Sequence, residues 1–250
     1  MKGLLEYSIL RYIPSSISGE AINLGMVFVD TESGARDFYY TKKLKRVLEF
    51  DDTIDKNNIE FLLSSIQTDV RGHVYSNSDF NIEDFVRFYC NQYRFDKPQK
   101  LMYDDFEEQI LNLKKTYFRF DFRKAERPTA DDDRKMLRQM LETRFDGLKK
   151  DQVVIGTADE SIRFDYTVGD YKIKFLDFSN KKIKNMINTI KAWSWNCMQD
   201  EKIYLVYRYD DMADENQKKD FEIAMKVLKK AGSNVCPVEK MSDSLQNISA

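Results

Sequence analysis

The order of hydrophobic periodicities in the last hundred residues is the feature that most limits how this chain can fold. Residues 162–168 and 171–178 alternate apolar and polar side chains around a Gly169-Asp170 turn, which predicts a β-hairpin. A helix, a strand, a helix and a strand are predicted next, at residues 180–198, 202–209, 214–230 and 235–238. Because strands joined through a helix run parallel, this β-β-α-β-α-β order predicts a C-terminal mixed-sheet α/β unit.

The first part of the chain predicts a different architecture. Extended patterns at residues 4–13, 22–29 and 37–40 predict a small antiparallel sheet, and helical spacing begins at Asp55 and dominates residues 79–150. The predicted fold class is therefore α+β. We expect an N-terminal sheet with helices at 1–126, a connector helix at 127–150 and the C-terminal unit at 151–250, with the best linker composition at 119–130.

Three consecutive acids, Asp131, Asp132 and Asp133, stand where the connector helix begins. A helix N-terminus carries partial positive charge that favours anions, so a capped and solvated helix start explains them. A cation site is the alternative interpretation.

Composition limits what the protein can bind. The 250 residues are 42% hydrophobic, which is enough for a large core. Lysine and arginine number 40 against 42 acids, so the net charge of −2 gives no overall field toward nucleic acid or lipid. Any binding to nucleic acid must therefore use a local patch.

Several catalytic classes lack their residues. His73 is the one histidine, and the three cysteines lie far apart, which argues against a Ser-His-Asp relay, a histidine-rich metal site and a zinc knuckle. The nine glycines form no phosphate-binding loop, so no nucleotide cofactor is expected. The longest uncharged run is nine residues, 21–29, and Glu6 interrupts any leader-like start. These features predict a cytoplasmic protein with no membrane segment.

The stretch 7–30 carries a recognisable signature. It resembles the N-terminal signature of a bacterial family of unknown function, domain-of-unknown-function family 3037, in a Tyr-containing strand, an Arg-Tyr-x-Pro step and a Gly-Glu-x-x-Asn-x-Gly segment. The matching positions are Arg11, Tyr12, Pro14, Gly19, Glu20, Asn23 and Gly25. The resemblance implies no established activity. It does imply a setting, because members of the family are associated with kinase-type toxins and with mobile or defence loci in bacteria and phages.

The polar residues of this signature form one candidate cluster. Glu20 and Asn23 flank an apolar strand, and Arg11 lies on the preceding one, so an arginine–carboxylate pair across the two strands is a plausible geometry. Such a trio more often fixes a loop than binds a ligand, and both interpretations stay open. Gly25 would let backbone approach closely.

A second candidate lies in the C-terminal half. Asp165 and Asp177 occupy neighbouring strands of the predicted β-β-α-β core, which resembles the core of PD-(D/E)XK nuclease-like folds. The resemblance implies that the two carboxylates hold Mg²⁺ and that a lysine two residues after the second acid assists the attacking hydroxide. Ser179 stands in place of that lysine.

Another lysine could take the place of the one that is missing at position 179. Strand alternation puts Lys172 and Lys174 on the face opposite Asp177, which leaves Lys191 on the following helix. We therefore expect a degenerate, non-cleaving fold without a catalytic residue, metal or other cofactor. A Mg²⁺-dependent nuclease that uses Asp165, Asp177 and Lys191 is the alternative.

The same helix supplies the binding candidate. Its core stripe leaves a second face at helical spacing, formed by Lys184, Asn188, Lys191 and Trp195. An exposed tryptophan among lysines could anchor a protein partner or stack a nucleic-acid base, whereas Trp195 could also pack under the N-terminal half. The sequence thus favours a non-catalytic accessory protein with a protein partner. Nucleic-acid recognition and a purely structural subunit of a larger complex are the alternatives.

Overall fold

The computed structural model of the chain describes residues 3–15, 17, 20–73, 80–155, 161–179, 181–209, 215–232, 234–245 and 248. They form two compact units, the N-terminal unit Met1–Pro128 and the C-terminal unit Thr129–Ala250. The boundary falls inside the stretch predicted as a linker. The helix predicted as a connector, residues 127–150, contributes its helical part to the C-terminal unit.

The N-terminal unit is built on an antiparallel sheet. Its strands are β1 Gly3–Tyr12, β2 Ile22–Asp30, β3 Arg36–Tyr40, β4 Tyr93–Phe95 and β5 Gln99–Tyr103, and its helices are α1 Leu44–Phe50, α2 Lys56–Thr68, α3 Ile82–Val86 and α4 Phe106–Tyr117. The order is β3-β2-β1, and β4 and β5 both pair with the far edge of β1, each along a different part of the strand.

The two faces of this sheet are covered by different helices. Leu10, Val27 and Phe38 pack with α2 and α3 in one hydrophobic core. On the opposite face, the rings of Tyr7 and Tyr117, which ends α4, lie 5.9 Å apart. Burial on both faces explains why β2 is a nearly continuous apolar run, whereas β1 carries polar residues among its apolar ones.

Side-chain caps begin three helices of this unit, α2, α3 and α4. Asp55 accepts a hydrogen bond from the Asn58 amide at 2.9 Å, and Asp105 accepts one from the Glu108 amide at 2.8 Å. Asn81 caps α3 by accepting a hydrogen bond from the Asp84 amide at 3.0 Å. Each cap satisfies an amide that has no partner within its own helix.

The C-terminal unit contains a mixed sheet. Its elements are α5 Ala130–Arg144, β6 Lys149–Ile155, β7 Ser161–Val168, β8 Tyr171–Asp177, α6 Ile183–Gln199, β9 Ile203–Arg208, α7 Glu215–Ala231, β10 Val235–Pro237 and α8 Met241–Leu245. The strand order is β10-β9-β8-β7-β6, in which β8, β9 and β10 run parallel and β6, β7 and β8 form an antiparallel meander. The α+β fold class is confirmed.

Strand β6 is an addition to the predicted order. It pairs with β7 at the sheet edge, and most of its side chains are exposed. It begins Lys149-Lys150-Asp151, and the backbone of Asp151 has a φ of 51°. Edge strands often carry charged residues and an irregular backbone. Because of these features, β6 lacks the regular alternation of apolar and polar residues that predicts the inner strands. Within the described residues, no helix combines the length and the apolar character needed to cross a membrane.

Candidate functional site

The carboxylate of Asp165 is held inside the sheet of the C-terminal unit. Its Oδ2 accepts a hydrogen bond from the Phe175 amide at 2.7 Å, and its Oδ1 lies 3.1 Å from Nζ of Lys174. Residue pairing between β7 and β8 extends only from Tyr166 to Val168 on the β7 side, so the aspartate continues the connection where the regular ladder stops. Asp165 therefore acts here as a brace between the two strands.

Asp177 is held at a different place, at the end of β8. Its Oδ1 accepts a hydrogen bond from the Ser179 amide at 2.9 Å. The backbone stays extended through Phe178, whose amide donates to the Arg208 carbonyl at 2.8 Å. Asp177 thus stabilises the chain as it leaves the sheet.

These two local bonds keep the proposed metal ligands apart. The amides of Phe175 and Ser179, which hold the two aspartates, are separated by about 13 Å at roughly 3.3 Å per extended residue. Two oxygen ligands of one Mg²⁺ lie within about 4 Å of each other, because each bond is about 2.1 Å long. The structure does not bring Asp165 and Asp177 together, and the pair does not fit a shared Mg²⁺. Among the described residues, no group of three or more His, Cys, Asp or Glu side chains could hold a metal ion.

The lysine beside this region is also different from the one proposed. Lys174 contacts Asp165, and Lys172 contacts Asp200 through an ion pair. Lys191 lies exposed on α6. Strand alternation puts Lys174 on the face opposite Asp177, and for the same reason its ammonium meets Asp165 instead.

The cysteine on α6 does not supply a nucleophile. Cys197 is buried in the core beneath α6 and α7. Burial, and to a lesser degree the nearby charge of Asp200, raise the pKa of the Cys197 thiol to about 12. The thiol therefore stays protonated and unreactive at neutral pH.

Helix α6 divides its two tryptophans between interior and surface. Met186, Ile190, Ser194 and Cys197 form its buried stripe. Trp193 lies beside that stripe with its ring 5.6 Å from that of Phe164 in an edge-to-face contact. Trp195 is 52% exposed. Trp193 and Trp195 thus point in different directions, because residues two positions apart in a helix are rotated by about 200°.

The four residues predicted as a binding face share the outer side of α6, which we call the α6 face: Lys184, Asn188, Lys191 and Trp195. All four are exposed. They follow one another at intervals of three or four residues, so their side chains lie along one line of the helix surface. Met198 follows one turn after Trp195 and is 59% exposed, which extends the apolar end of this face.

Two polar residues of the N-terminal signature bind to later segments of the chain. Arg11 and Asn23 are direct neighbours across β1 and β2. Arg11 forms an ion pair with Asp96 at 2.6 Å, and the Asn23 side chain donates to the Tyr117 carbonyl at 3.1 Å. Glu20 lies exposed just before β2. These bonds tie the first two strands to the segment after β4 and to the end of α4, as a structural clasp would.

Gly25 of the signature is required by packing. A Cβ atom at this position would stand 2.2 Å from Cζ of Phe38, whose ring is fully buried. The expectation that the backbone is approached closely here is confirmed. Gly19, the other signature glycine, lies outside the described residues.

A buried ion pair in the C-terminal unit was not predicted. Arg208, at the end of β9, binds the carboxylate of Asp133 on α5 and donates to Oγ of Ser179 at 3.1 Å. Both charged groups are buried. The expected solvated helix start is therefore wrong for Asp133, although Thr129 and Asp132 do form the cap of α5. No local pattern indicates this pair, because its members are 75 positions apart.

Sequence reasoning also missed a concentration of basic residues in the N-terminal unit. Residues 42–46 contain four lysine or arginine residues and no acid. Three guanidinium groups lie within 6 Å of the Phe120 ring. The run of positive charge at 42–46 could have indicated this patch. The arginines of the second basic stretch fall within the segment 119–130 that the sequence predicts as a linker.

Comparison with known proteins bears on the N-terminal unit. No curated protein and no solved structure matches the chain. A family model does match, and the match covers no part of the C-terminal unit. Residues 7–90, which contain the signature of the first two strands, match the family described as Protein of unknown function (DUF3037), so the predicted resemblance is confirmed.

Proposed function

We propose that this chain is a non-catalytic binding protein that captures a protein partner through the α6 face. The observation that carries the proposal is the exposure of Trp195 near the C-terminal end of α6, a helix whose opposite side is buried. Tryptophan is the side chain most enriched among residues that dominate binding energy in protein interfaces.

The size of the exposed ring supports this role. A buried tryptophan removes roughly 200 Å² from water, so covering the exposed half of Trp195 would contribute about 2.5 kcal/mol at about 25 cal/mol per Å². Lys191 lies one turn before Trp195 and can lay its aliphatic stem beside the ring while its ammonium stays in water. A partner that combines an apolar pocket with acidic residues fits this surface.

The remaining polar groups favour binding over catalysis. Asp165 and Asp177 are each held by a backbone amide. The Cys197 thiol is buried. The family resemblance adds a setting, and we place the protein in the cytoplasm as an accessory protein of a bacterial or phage toxin or antiviral-defence system.

Substitution of the α6 face tests the proposal directly. Tagged wild-type protein and the variants Trp195→Ala and Lys191→Ala would be used to capture partners from native cells, with Ile223→Ala on α7 as the control. Ile223 is a matched control because it is 61% exposed and lies outside the α6 face. We expect one partner to be captured by the wild type and the control, lost with Trp195→Ala and weakened with Lys191→Ala.

Two results would contradict the proposal. Capture that survives Trp195→Ala would remove the α6 face from the interface. A fall of many degrees in the melting temperature of Trp195→Ala would show that the ring is a core element, since substitutions of exposed residues change stability by only about 0.5 kcal/mol.

A cleavage assay separates this function from the nuclease alternative. Plasmid, single-stranded DNA and RNA would be incubated with the protein in Mg²⁺ or Mn²⁺, and we expect all three to stay intact. Metal-dependent cleavage that disappears in Asp165→Ala would favour the nuclease, because that variant removes the first proposed ligand.

A further inference from the structure

Two basic segments come together in the N-terminal unit, whereas the α6 face belongs to the C-terminal unit. Residues 42–46 carry four cations and no acid, and residues 114–127 carry six cations and two acids. Together they hold a net charge of +8 within a chain whose total is −2. The N-terminal unit therefore contains the local positive patch that the overall composition does not supply.

Asp121 fixes the two segments against each other. Its carboxylate accepts hydrogen bonds from the Tyr39 hydroxyl at 2.8 Å, the Thr41 hydroxyl at 2.7 Å and the Lys42 amide at 3.1 Å. These three donors are hydroxyls and a backbone amide, so the acid holds the start of the basic run without binding its ammonium groups. Burial, with the bond to Asp121, raises the pKa of Tyr39, which therefore stays protonated as a donor.

Arginine side chains from both segments lie close to the Phe120 ring. The guanidinium of Arg46 lies 4.0 Å from the centre of the ring, that of Arg127 lies at 5.0 Å and that of Arg119 at 5.8 Å. The ammonium of Lys43 donates to the Phe120 carbonyl. A ring attracts cations to its face and restricts their orientation, so these groups are positioned before any ligand arrives.

Aromatic rings continue beside this centre. Nζ of Lys42 lies 4.0 Å above the Tyr40 ring, and Nζ of Lys114 lies 5.0 Å from the centre of the Tyr39 ring. Lys42, Lys43 and Arg46 are exposed, and Phe120 is half-buried. We call the set formed by Lys42, Lys43, Arg46, Arg119, Phe120 and Arg127 the Phe120 surface.

We infer that the Phe120 surface binds single-stranded nucleic acid with little sequence preference. Lysine and arginine side chains can contact successive phosphates, and rings and guanidinium planes can stack on unpaired bases, which is how sequence-tolerant single-strand binders work. A duplex hides the faces of its bases, and an acidic peptide has no bases to stack. The observed combination of positive charge and planar side chains therefore fits an unpaired strand better than it fits a duplex or an acidic peptide.

This second surface lies in a different unit from the α6 face, so it can be tested separately. Fluorescence anisotropy of labelled oligonucleotides would be measured with the full chain, using single-stranded RNA, single-stranded DNA and a duplex of the same sequence, and a polyglutamate peptide. We expect both single strands to bind, the duplex to bind at least about tenfold more weakly, and the peptide not to compete. The RNA and DNA arms show which strand the surface prefers.

Charge reversal provides the decisive comparison. Lys42→Glu with Arg46→Glu should weaken single-strand binding by at least about tenfold at moderate salt. It should also reduce the slope of log affinity against log salt by about 1.4, since each lost phosphate contact removes about 0.7. Lys218→Glu with Lys226→Glu, two exposed positions on α7, makes the same charge change elsewhere and should leave binding nearly unchanged.

Phe120→Leu tests the stacking part of the inference. It keeps an apolar side chain but removes the ring, and we expect a severalfold loss of affinity with unchanged circular dichroism. Equal binding of single strand, duplex and polyglutamate, or equal loss in the α7 control, would overturn the inference. Unchanged affinity in the Lys42→Glu, Arg46→Glu variant would overturn it as well.

Discussion

The two units hold their aspartates by different chemistry. In the N-terminal unit, three tyrosine hydroxyls donate to aspartates, in the pairs Tyr12–Asp51, Tyr39–Asp121 and Tyr103–Asp30. In the C-terminal unit, aspartates around the sheet meet cations, in the pairs Asp133–Arg208, Asp165–Lys174, Asp170–Lys202 and Asp200–Lys172. The N-terminal unit has ion pairs too, such as Arg11–Asp96. The difference nevertheless explains how the Phe120 surface forms. A tyrosine hydroxyl holds an aspartate in place, so no lysine or arginine is needed to bind that aspartate.

The largest expected effect is on the buried ion pair of the C-terminal unit. Arg208→Met leaves Asp133 charged and buried without its partner, which should lower the free energy of unfolding by about 3–5 kcal/mol. Asp133→Leu combined with Arg208→Met should recover most of that loss. Urea unfolding monitored by tryptophan fluorescence measures the stability of the C-terminal unit, because both tryptophans lie on α6. A small effect of Arg208→Met alone would show that the pair contributes little.

The next effect sharpens the contrast in the N-terminal unit. Tyr39→Phe removes a hydrogen bond to a charged acceptor and should cost about 1.5–3 kcal/mol. Because Tyr39 is uncharged, the loss should be the same at low and high salt. Hydrogen exchange of peptides from β3 and from the turn at Asp121 measures it locally. A loss that disappears in high salt would contradict the hydroxyl-based account.

Two substitutions of Asp165 separate the contribution of its bond to the Phe175 amide from that of its contact with Lys174. Asp165→Asn keeps an oxygen for the Phe175 amide but loses the charge that faces Lys174, whereas Asp165→Ala loses both. We expect a cost below about 1 kcal/mol for the first variant, since partly exposed ion pairs contribute little, and about 1–2 kcal/mol for the second. Urea midpoints with and without Mg²⁺ provide the measurement. Stabilisation of the wild type by Mg²⁺ that Asp165→Asn abolishes would instead indicate a metal ligand.

Acid should destabilise both units, with different salt dependence. Burial alone would raise the pKa of Asp30 and of Asp200, but bonds from Ser33 and Tyr103 to Asp30 and from Lys172 to Asp200 lower each pKa overall. A depressed folded pKa contributes stability above the unfolded value near 4, and this contribution is lost as pH falls through the folded pKa. Unfolding midpoints measured between about pH 6 and 3 should therefore decrease in both units.

Salt distinguishes the two contributions in the same titration. High salt should reduce the acid-induced loss that comes from the Asp200–Lys172 pair and leave the part from the hydroxyl-bound Asp30 unchanged. Tryptophan fluorescence follows the C-terminal unit, and hydrogen exchange of β2 follows the N-terminal unit. An identical salt response in both units would remove the chemical distinction between them.

The smallest effect is a labelling pattern. Cys90 in the N-terminal unit is exposed, while Cys197 and Cys236 in the C-terminal unit are buried. A thiol reagent should modify Cys90 rapidly in the folded protein and the other two only after unfolding. Mass spectrometry of peptides measures the rates. Rapid labelling of Cys197 would mean that the core beneath α6 opens easily.

Local signals in the sequence predicted much of this molecule. The cap of α2 at Asp55 and that of α4 at Asp105 follow local patterns that a sequence can show, because capping involves residues only three positions apart. The β7–β8 hairpin followed from Gly169, whose φ of 53° is the conformation that such a turn needs from glycine. Helical periodicity alone places Trp193 and Trp195 on different faces of α6.

Contacts between distant parts of the chain were not predictable in the same way. Asp133 looked like an ordinary helix-start acid because Arg208, its partner, follows 75 positions later. The Phe120 surface joins a basic run to a turn that lies about 80 positions downstream, and the connection runs through Asp121. A pattern within one helix or strand carries no information on which other element will be packed against it.

The split edge of the first sheet has a consequence for solubility. β4 and β5 together cover the edge of β1, but they are three and five residues long, and Pro98 lies between them. A foreign strand needs a continuous row of backbone donors and acceptors to add to a sheet, and this border offers only short, interrupted ones. This border of the sheet is thus protected from pairing with strands of neighbouring copies.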